Sequence, residues 1–115
     1  MVKLRQGDII KLDFNPQSGH EQAGYRPAVI ISTDFYNTVT GLVIVCPITN
    51  TDNEFPLHVP LDDRTKTKGF VLCEHVKSLD LTLRGYKFTE RMPRDVLDEV
   101  IDTVYSEFAL KKDAQ

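Results

Sequence analysis

The run Leu42-Val43-Ile44-Val45-Cys46-Pro47-Ile48-Thr49 limits the fold more than any other segment of this chain. It is almost continuously apolar and has the length of one strand, so it reads as a strand buried on both faces. A strand of that kind needs cover from two sides. Pro47 has no N–H to give to a ladder, so it marks a bulge or an edge near the strand's end. Thr49 then falls at the mouth of the next loop and not in the core.

The remaining segments are suited to supply that cover. Residues 10–14 alternate apolar and charged, as in a half-buried strand. Residues 15–25 hold two Gly and one Pro without periodicity and read as a long loop, a common place for function in a small domain. Residues 26–32 form a second strand. Pro27 suits its first positions and holds Arg26 in extended geometry at the join of loop and sheet. In residues 55–61, Phe55, Leu57, Val59 and Leu61 share a face. Two prolines make this an edge strand, and His58 falls on its outward phase, at the surface. Residues 70–74 and 86–89 read as further strands, and residues 76–83 have room for a short turn of helix. From Pro93 onward Val96, Leu97, Val100, Ile101, Val104 and Phe108 make one apolar stripe. Acids stand early and Lys111 and Lys112 late, as a helix dipole favours. This helix is expected to pack on the sheet and carry no chemistry. Several short strands followed by one helix predict a single mainly β domain over residues 1–115, a small barrel with a C-terminal helix against it.

The totals narrow the class. The chain has 115 residues, enough for one modest core. No run approaches the roughly 18 apolar residues of a membrane span. The first residues lack the apolar stretch of an export signal, so a cytoplasmic location is expected. Cys46 and Cys73 form no CxxC pair and read as small buried hydrophobes. A Cys73 nucleophile beside His75 is the alternative, although residues two apart on a strand share a face by geometry alone. Net charge is −3, but it is uneven: residues 64–94 carry +5 while the segments on either side carry −4 each. The basic segment suits a phosphate backbone or an acidic protein tail.

Polar residues able to do chemistry gather at three joins: His20, Glu21, Gln22 and Arg26; Thr49 and Asn50; Glu74 and His75. A barrel could bring these joins together at one end. The set suits metal-free phosphoryl transfer, in which RNA is cut through its own 2′-hydroxyl. A base takes the 2′ proton, a cation stabilises the phosphorane, and an acid protonates the leaving 5′ oxygen. Glu and His handle protons. Arginine offers a permanently charged fork to phosphate oxygens, and a threonine hydroxyl can complete the cradle. Read singly, Glu74 could be an ion-pair partner of Lys77, Arg26 a charge at a sheet edge, and Thr49 an ordinary β-former. No Gly-rich phosphate loop, HExxH or EF-hand spacing occurs, so neither a metal nor another cofactor is expected.

Taken in order, several short motifs resemble the MazF/PemK-type toxin endoribonucleases. They are Arg5-Gln6-Gly7-Asp8, Phe14-Asn15-Pro16, Gly19-His20-Glu21-Gln22, Arg26-Pro27-Ala28-Val29, Val45-Cys46-Pro47-Ile48-Thr49, Val76-Lys77-Ser78-Leu79-Asp80 and Arg84-Gly85. The resemblance covers essentially the whole chain. It implies a compact SH3-like, CcdB-like β-barrel and a homodimer. It also implies an endoribonuclease that cuts single-stranded RNA, often mRNA, at short motifs, and a partner antitoxin whose acidic, disordered tail occupies the RNA groove. Family catalysis falls on Arg26 and Thr49, while His20 and Glu21 border the scissile phosphate or the bound base. Glu74 joins them as a catalytic candidate. Gln22, Asn50, His75, Lys77, Arg84 and Lys87 are candidates for RNA contact, with Lys66 and Lys68 adding positive field. Two departures stand out. Glu74-His75 replaces the family's acid-Gln pair, and Leu72 stands where some members have an arginine, so Arg26 or His20 is expected to supply the acid.

Two other functions fit the same barrel. One is a non-enzymatic, CcdB-like inhibitor of gyrase, which would lack the loop and Arg-Pro arrangement. The other is an SH3-like peptide-binding module, which needs an aromatic groove. This chain has no Trp, and Phe35, Tyr36, Phe55, Phe70, Tyr86 and Phe88 are spread along it.

Overall fold

The computed structural model describes residues 4–14, 25–51 and 54–110. Its elements in chain order are β1 (Asp8–Asp13), β2 (Tyr25–Ile30), α1 (Asp34–Thr40), β3 (Val43–Thr49), β4 (His58–Pro60) and β5 (Phe70–Leu72). A 3-10 turn (Cys73–His75), β6 (Lys77–Leu79), a second 3-10 turn (Leu81–Leu83), β7 (Tyr86–Arg91) and α2 (Arg94–Ser106) complete it. All strand pairs are antiparallel.

β3 sits at the centre. One flank pairs with β2, with Ala28 opposite Pro47 and Ile30 opposite Val45. The other flank is divided, with β6 along residues 43–45 and β5 at Ile48 and Thr49. Pro47 lies at the changeover between those two partners. The sequence expectation of an edge or a bulge there is therefore replaced by an interrupted ladder in a central strand.

Both faces of β3 are buried, as its composition demands. On one face Ile10, Leu12, Ala28, Ile30, Val43 and Val45 form a core, with Phe14, Leu79, Leu81 and Tyr86 packed against it. Leu79 comes from β6 and Tyr86 from β7, at opposite ends of the strand series β6-β3-β2-β1-β7. Their meeting on one core shows that the sheet curls into a small barrel, closed by the turn at Leu81. On the other face Ile9, Val29, Cys46, Ile48, Val59 and Val71 are covered by Val96, Leu97, Val100 and Val104 of α2. Cys46 and Cys73 are both free and fully buried there.

β1 begins two residues earlier than its alternation suggests. Asp8 is 3% exposed, accepts from the Arg5 N–H at 2.8 Å, and pairs with Arg91 of β7 at 2.7 Å. That clamp extends the ladder to Asp8–Arg91. β4 is an edge strand, as its prolines imply, but only residues 58–60 pair, and Phe55 is 44% exposed. Residues 76–83 resolve into a strand and a 3-10 turn. α1 has no counterpart in the sequence reading because it buries no residue and so shows no core-facing stripe. Its signals are local: the Thr33 hydroxyl accepts from the Tyr36 N–H at 3.1 Å, and Gly41 closes it at φ 73°. Pro93 caps α2 from outside its first turn, and Phe108 lies beyond the helix, 68% exposed, so it leaves the stripe. Lys111 and Lys112 fall outside the described residues.

Gly69 fixes the end of β3. Its φ is +116°, and a Cβ there would fall on the Thr49 carbonyl. Gly69→Ala should cost about 2–4 kcal/mol from strain and overlap together. Gly41→Ala, with φ +73° and nothing within 4 Å of the new Cβ, should cost about 1 kcal/mol. Urea unfolding of both variants checks this, and equal losses would remove the close approach at Thr49 as the cause.

Candidate functional site

Arg26 is exposed on β2, where the ladder sets it opposite Leu12. It makes no side-chain hydrogen bond or ion pair with any described residue. Thr49 ends β3 and is half-buried. The register that pairs Ala28 with Pro47 projects Arg26 to the level of Thr49, two residues further out and on the same face. The Thr49 hydroxyl oxygen accepts from the Thr51 N–H at 3.3 Å. Its own O–H has no acceptor among the described residues. A fixed cation and a hydroxyl donor on neighbouring strands, near their open ends, can hold two oxygens of one phosphodiester.

His20, Glu21 and Gln22 lie outside the described residues. Glu74 and His75 do not join Arg26 and Thr49 at the strand ends. The turn that carries them follows β5 and precedes β6, whose Lys77 is opposite Val45. It therefore stands beside the middle of β3. Glu74 accepts from the His58 ring at 2.9 Å and lies 3.6 Å from the exposed His75 ring. The alternative of a Glu74–Lys77 ion pair is not what forms: Lys77 holds its ammonium 5.2 Å above the Phe14 ring.

His58 corrects a sequence expectation. Its side chain is 4% exposed, because the 3-10 turn brings Glu74 over the phase of β4 that the alternation assigned to solvent, and Phe55 packs edge-on at 5.2 Å. Nothing local in the sequence signals this, since the partners are sixteen residues apart. Burial is the largest single influence on the Glu74 carboxylate and works against it, but the hydrogen bond with His58, a backbone hydrogen bond and the charges of the His58 and His75 rings together outweigh it and hold the acid below its ordinary range. Glu74 is thus ionised and positioned at neutral pH.

Arg84 was expected to face a groove. Its guanidinium instead donates to the carbonyls of Asp13 and Phe14, at 3.1 and 2.9 Å, tying the end of β1 to the turn before β7. Lys87 is exposed opposite Lys11. Asn50, next to Thr49, lines a cavity with Lys11, Lys66 and Lys68. Cys73 is not a surface nucleophile: it is fully buried and its thiol points to the Val100 carbonyl. Its contact with Cys46, together with burial, pushes the Cys46 thiol far up, so Cys46 stays protonated.

A model of the PemK-like, MazF-like toxins of type II toxin–antitoxin systems matches residues 5–108. The chain is 34% identical over 102 residues to the endoribonuclease PemK of Escherichia coli, covering 85% of this chain and 77% of that protein. Its structure is similar to MazF of Deinococcus radiodurans, with 37% identity, a TM-score of 0.83, and 96% and 100% of the two chains covered. A MazE–MazF structure from the same organism matches at 34% identity and TM-score 0.84 over the same shares. No helix among the described residues is long and apolar enough to cross a membrane.

Glu74 and Glu90 both have depressed carboxyl values; at Glu90, hydrogen bonds from Lys66 and Thr67 overcome burial. A depressed folded value stabilises the fold above the ordinary value of 4.5, and that contribution fades as pH falls through the lower folded value. Glu74→Gln/Glu90→Gln should therefore be less stable at neutral pH and lose less on acidification. Urea midpoints at pH 7 and pH 3 test this; parallel losses in variant and wild type would reject it.

Proposed function

We infer the activity from one premise: this chain belongs to the PemK-like, MazF-like toxin family of type II toxin–antitoxin systems. We propose that it is an endoribonuclease of that kind, cutting single-stranded RNA, mRNA included, at a short motif through the 2′-hydroxyl and without a metal. The observation that carries the reading is the Arg26–Thr49 pair. Carried one step further, the β2–β3 register sets the Arg26 guanidinium, which has no partner among the described residues, level with the Thr49 hydroxyl on one face of adjacent strands.

In this mechanism the 2′-oxygen loses its proton to a base and attacks the adjacent phosphorus. Arg26 and Thr49 stabilise the charge that builds on the non-bridging oxygens. The P–O5′ bond then breaks, the 5′ oxygen takes a proton, and a 2′,3′-cyclic phosphate and a 5′-hydroxyl remain. Proton handling is assigned to the loop residues His20 and Glu21 together with Arg26, and base contact to Gln22 and Asn50. Glu74 acts at one remove. Held ionised by His58, it orients His75, which takes the place of the family's glutamine against a base. Lys77 and Lys87 supply positive field.

The chain is further proposed to work as a cytoplasmic homodimer. Phe35 and Val39 are 77% and 64% exposed one turn apart on α1, a helix that buries no residue within its own chain. A cognate antitoxin with an acidic C-terminal tail would occupy the same groove and compete with RNA. The MazE–MazF neighbour supports an antitoxin partner.

Arg26→Ala should slow RNA cleavage by at least about 100-fold with an unchanged urea midpoint. Wild-type cleavage should persist in EDTA and leave 5′-hydroxyl ends, read by sequencing the fragments. Products with 5′-phosphates, or a loss of activity in EDTA, would replace the mechanism. DNA breaks arising with gyrase while RNA stays intact would replace the activity itself.

A further inference from the structure

On the sheet face opposite Arg26 and Thr49 lies an open cavity of about 520 Å³ lined by Lys11, Lys66 and Lys68, with no acidic side chain among its described lining residues. Lys11 points to this face because it alternates with Ile10 and Leu12, which enter the barrel core. Lys87 shares the face, directly across the ladder from Lys11. Like charges directly opposite on neighbouring strands destabilise a sheet. The fold therefore carries a cost here, with two lysines set against each other across one ladder.

The loop presenting Lys66 and Lys68 is held rigidly. The Glu90 carboxylate accepts from the Lys66 N–H at 3.0 Å and from the Thr67 N–H and hydroxyl at 2.8 Å each. Arg64 bridges Asp62 to Asp95 of α2 with bonds of 2.7–3.0 Å. Thr65, 3% exposed, donates to the Thr67 carbonyl at 2.7 Å, and Lys68 reaches the Thr65 carbonyl at 3.3 Å. Glu90, Asp62 and Asp95 are thus occupied in holding the loop. Its lysines are set in advance, which lowers the ordering cost of binding.

The cavity adjoins the proposed cleavage pair. Tyr25 and Pro27 line it, flanking Arg26 on β2, and Asn50 lines it directly after Thr49. Tyr25 is 53% exposed, a surface on which a base can stack. Repeated cationic groups beside an exposed aromatic ring and an amide fit a single nucleic-acid strand better than an acidic peptide, which offers no base to stack.

We propose that this lysine cavity is a flanking-phosphate site. It binds two or three phosphodiesters of the single-stranded RNA outside the nucleotides held at Arg26 and Thr49, so that long substrates bind better than short ones. This rests on the ribonuclease reading above and extends it to a second surface.

The test uses 2′-O-methyl oligouridylates of four and twelve nucleotides, which the proposed reaction cannot cut, with binding read by fluorescence anisotropy. The wild type should hold the twelve-mer at least about tenfold more tightly than the four-mer. Lys11→Gln/Lys66→Gln/Lys68→Gln should shrink that ratio below about threefold and lower the salt slope for the twelve-mer by about 2, near 0.7 per lost phosphate contact. Lys11→Arg/Lys66→Arg/Lys68→Arg should restore both, which separates a charge effect from a disturbed loop. An unchanged length ratio in the Gln variant overturns the proposal. So does a twelve-residue polyglutamate peptide that loses binding in that variant while the oligouridylate does not. If the wild type neither binds these oligomers nor cuts RNA, the ribonuclease reading fails first; if it cuts RNA but shows no length effect, only the flanking site fails.

Discussion

Burial of β3 on both faces is the constraint on which the rest of the molecule depends. A strand with Val43, Val45, Cys46 and Ile48 all buried cannot sit in a two-layer sheet with one wet side. One face is satisfied by curling β6 and β7 towards each other around Ile10, Leu12, Ala28 and Ile30. The other is satisfied by α2 and the short β4–β5 pair. β3 serves both arrangements because its partner changes along its length, from β6 to β5, with Pro47 at the join.

That change also makes the end of the strand available. Beyond Pro47, β3 has left the barrel's ladder with β2 and continues with β5, and the β2–β3 register carried past that point puts Thr49 level with Arg26. Gly69 permits the close approach of the next segment to the Thr49 carbonyl. The proposed phosphate contacts thus stand on strand backbone held by two ladders. Such rigidity suits a site whose work is to stabilise charge without reorganising.

The polar network divides between structure and solvent. Asp8 with Arg91, Glu90 with the 66–67 backbone, Arg84 with two carbonyls, and His58 with Glu74 all tie chain segments that are distant in sequence. With Glu90 taken up by the 66–67 backbone, Lys11, Lys66 and Lys68 gather around one cavity with no acid among its described lining residues. A chain with net charge −3 can therefore present a locally basic surface.

The fold was legible because its signals are periodic and local. Alternation in residues 10–14, the Arg26-Pro27 join, the unbroken run to Thr49 and the α2 stripe each follow from how side chains point along a strand or a helix. α1 escaped because it buries nothing within the chain, so no stripe records it. The candidate site was only partly legible. Arg26 and Thr49 could be named from their positions beside Pro27 and Pro47, but their common level comes from the β2–β3 register. His58 was misassigned, and Glu74 with His75 was expected at the strand ends, because a turn between β5 and β6 decides both positions and no spacing encodes it. Sequence alone determined which residues are apolar, which backbone positions are stiff, and which side chains can carry phosphate chemistry. Tertiary structure decided which of the charges are occupied by one another and which face solvent, because ion pairing and burial depend on contacts between segments far apart in the chain.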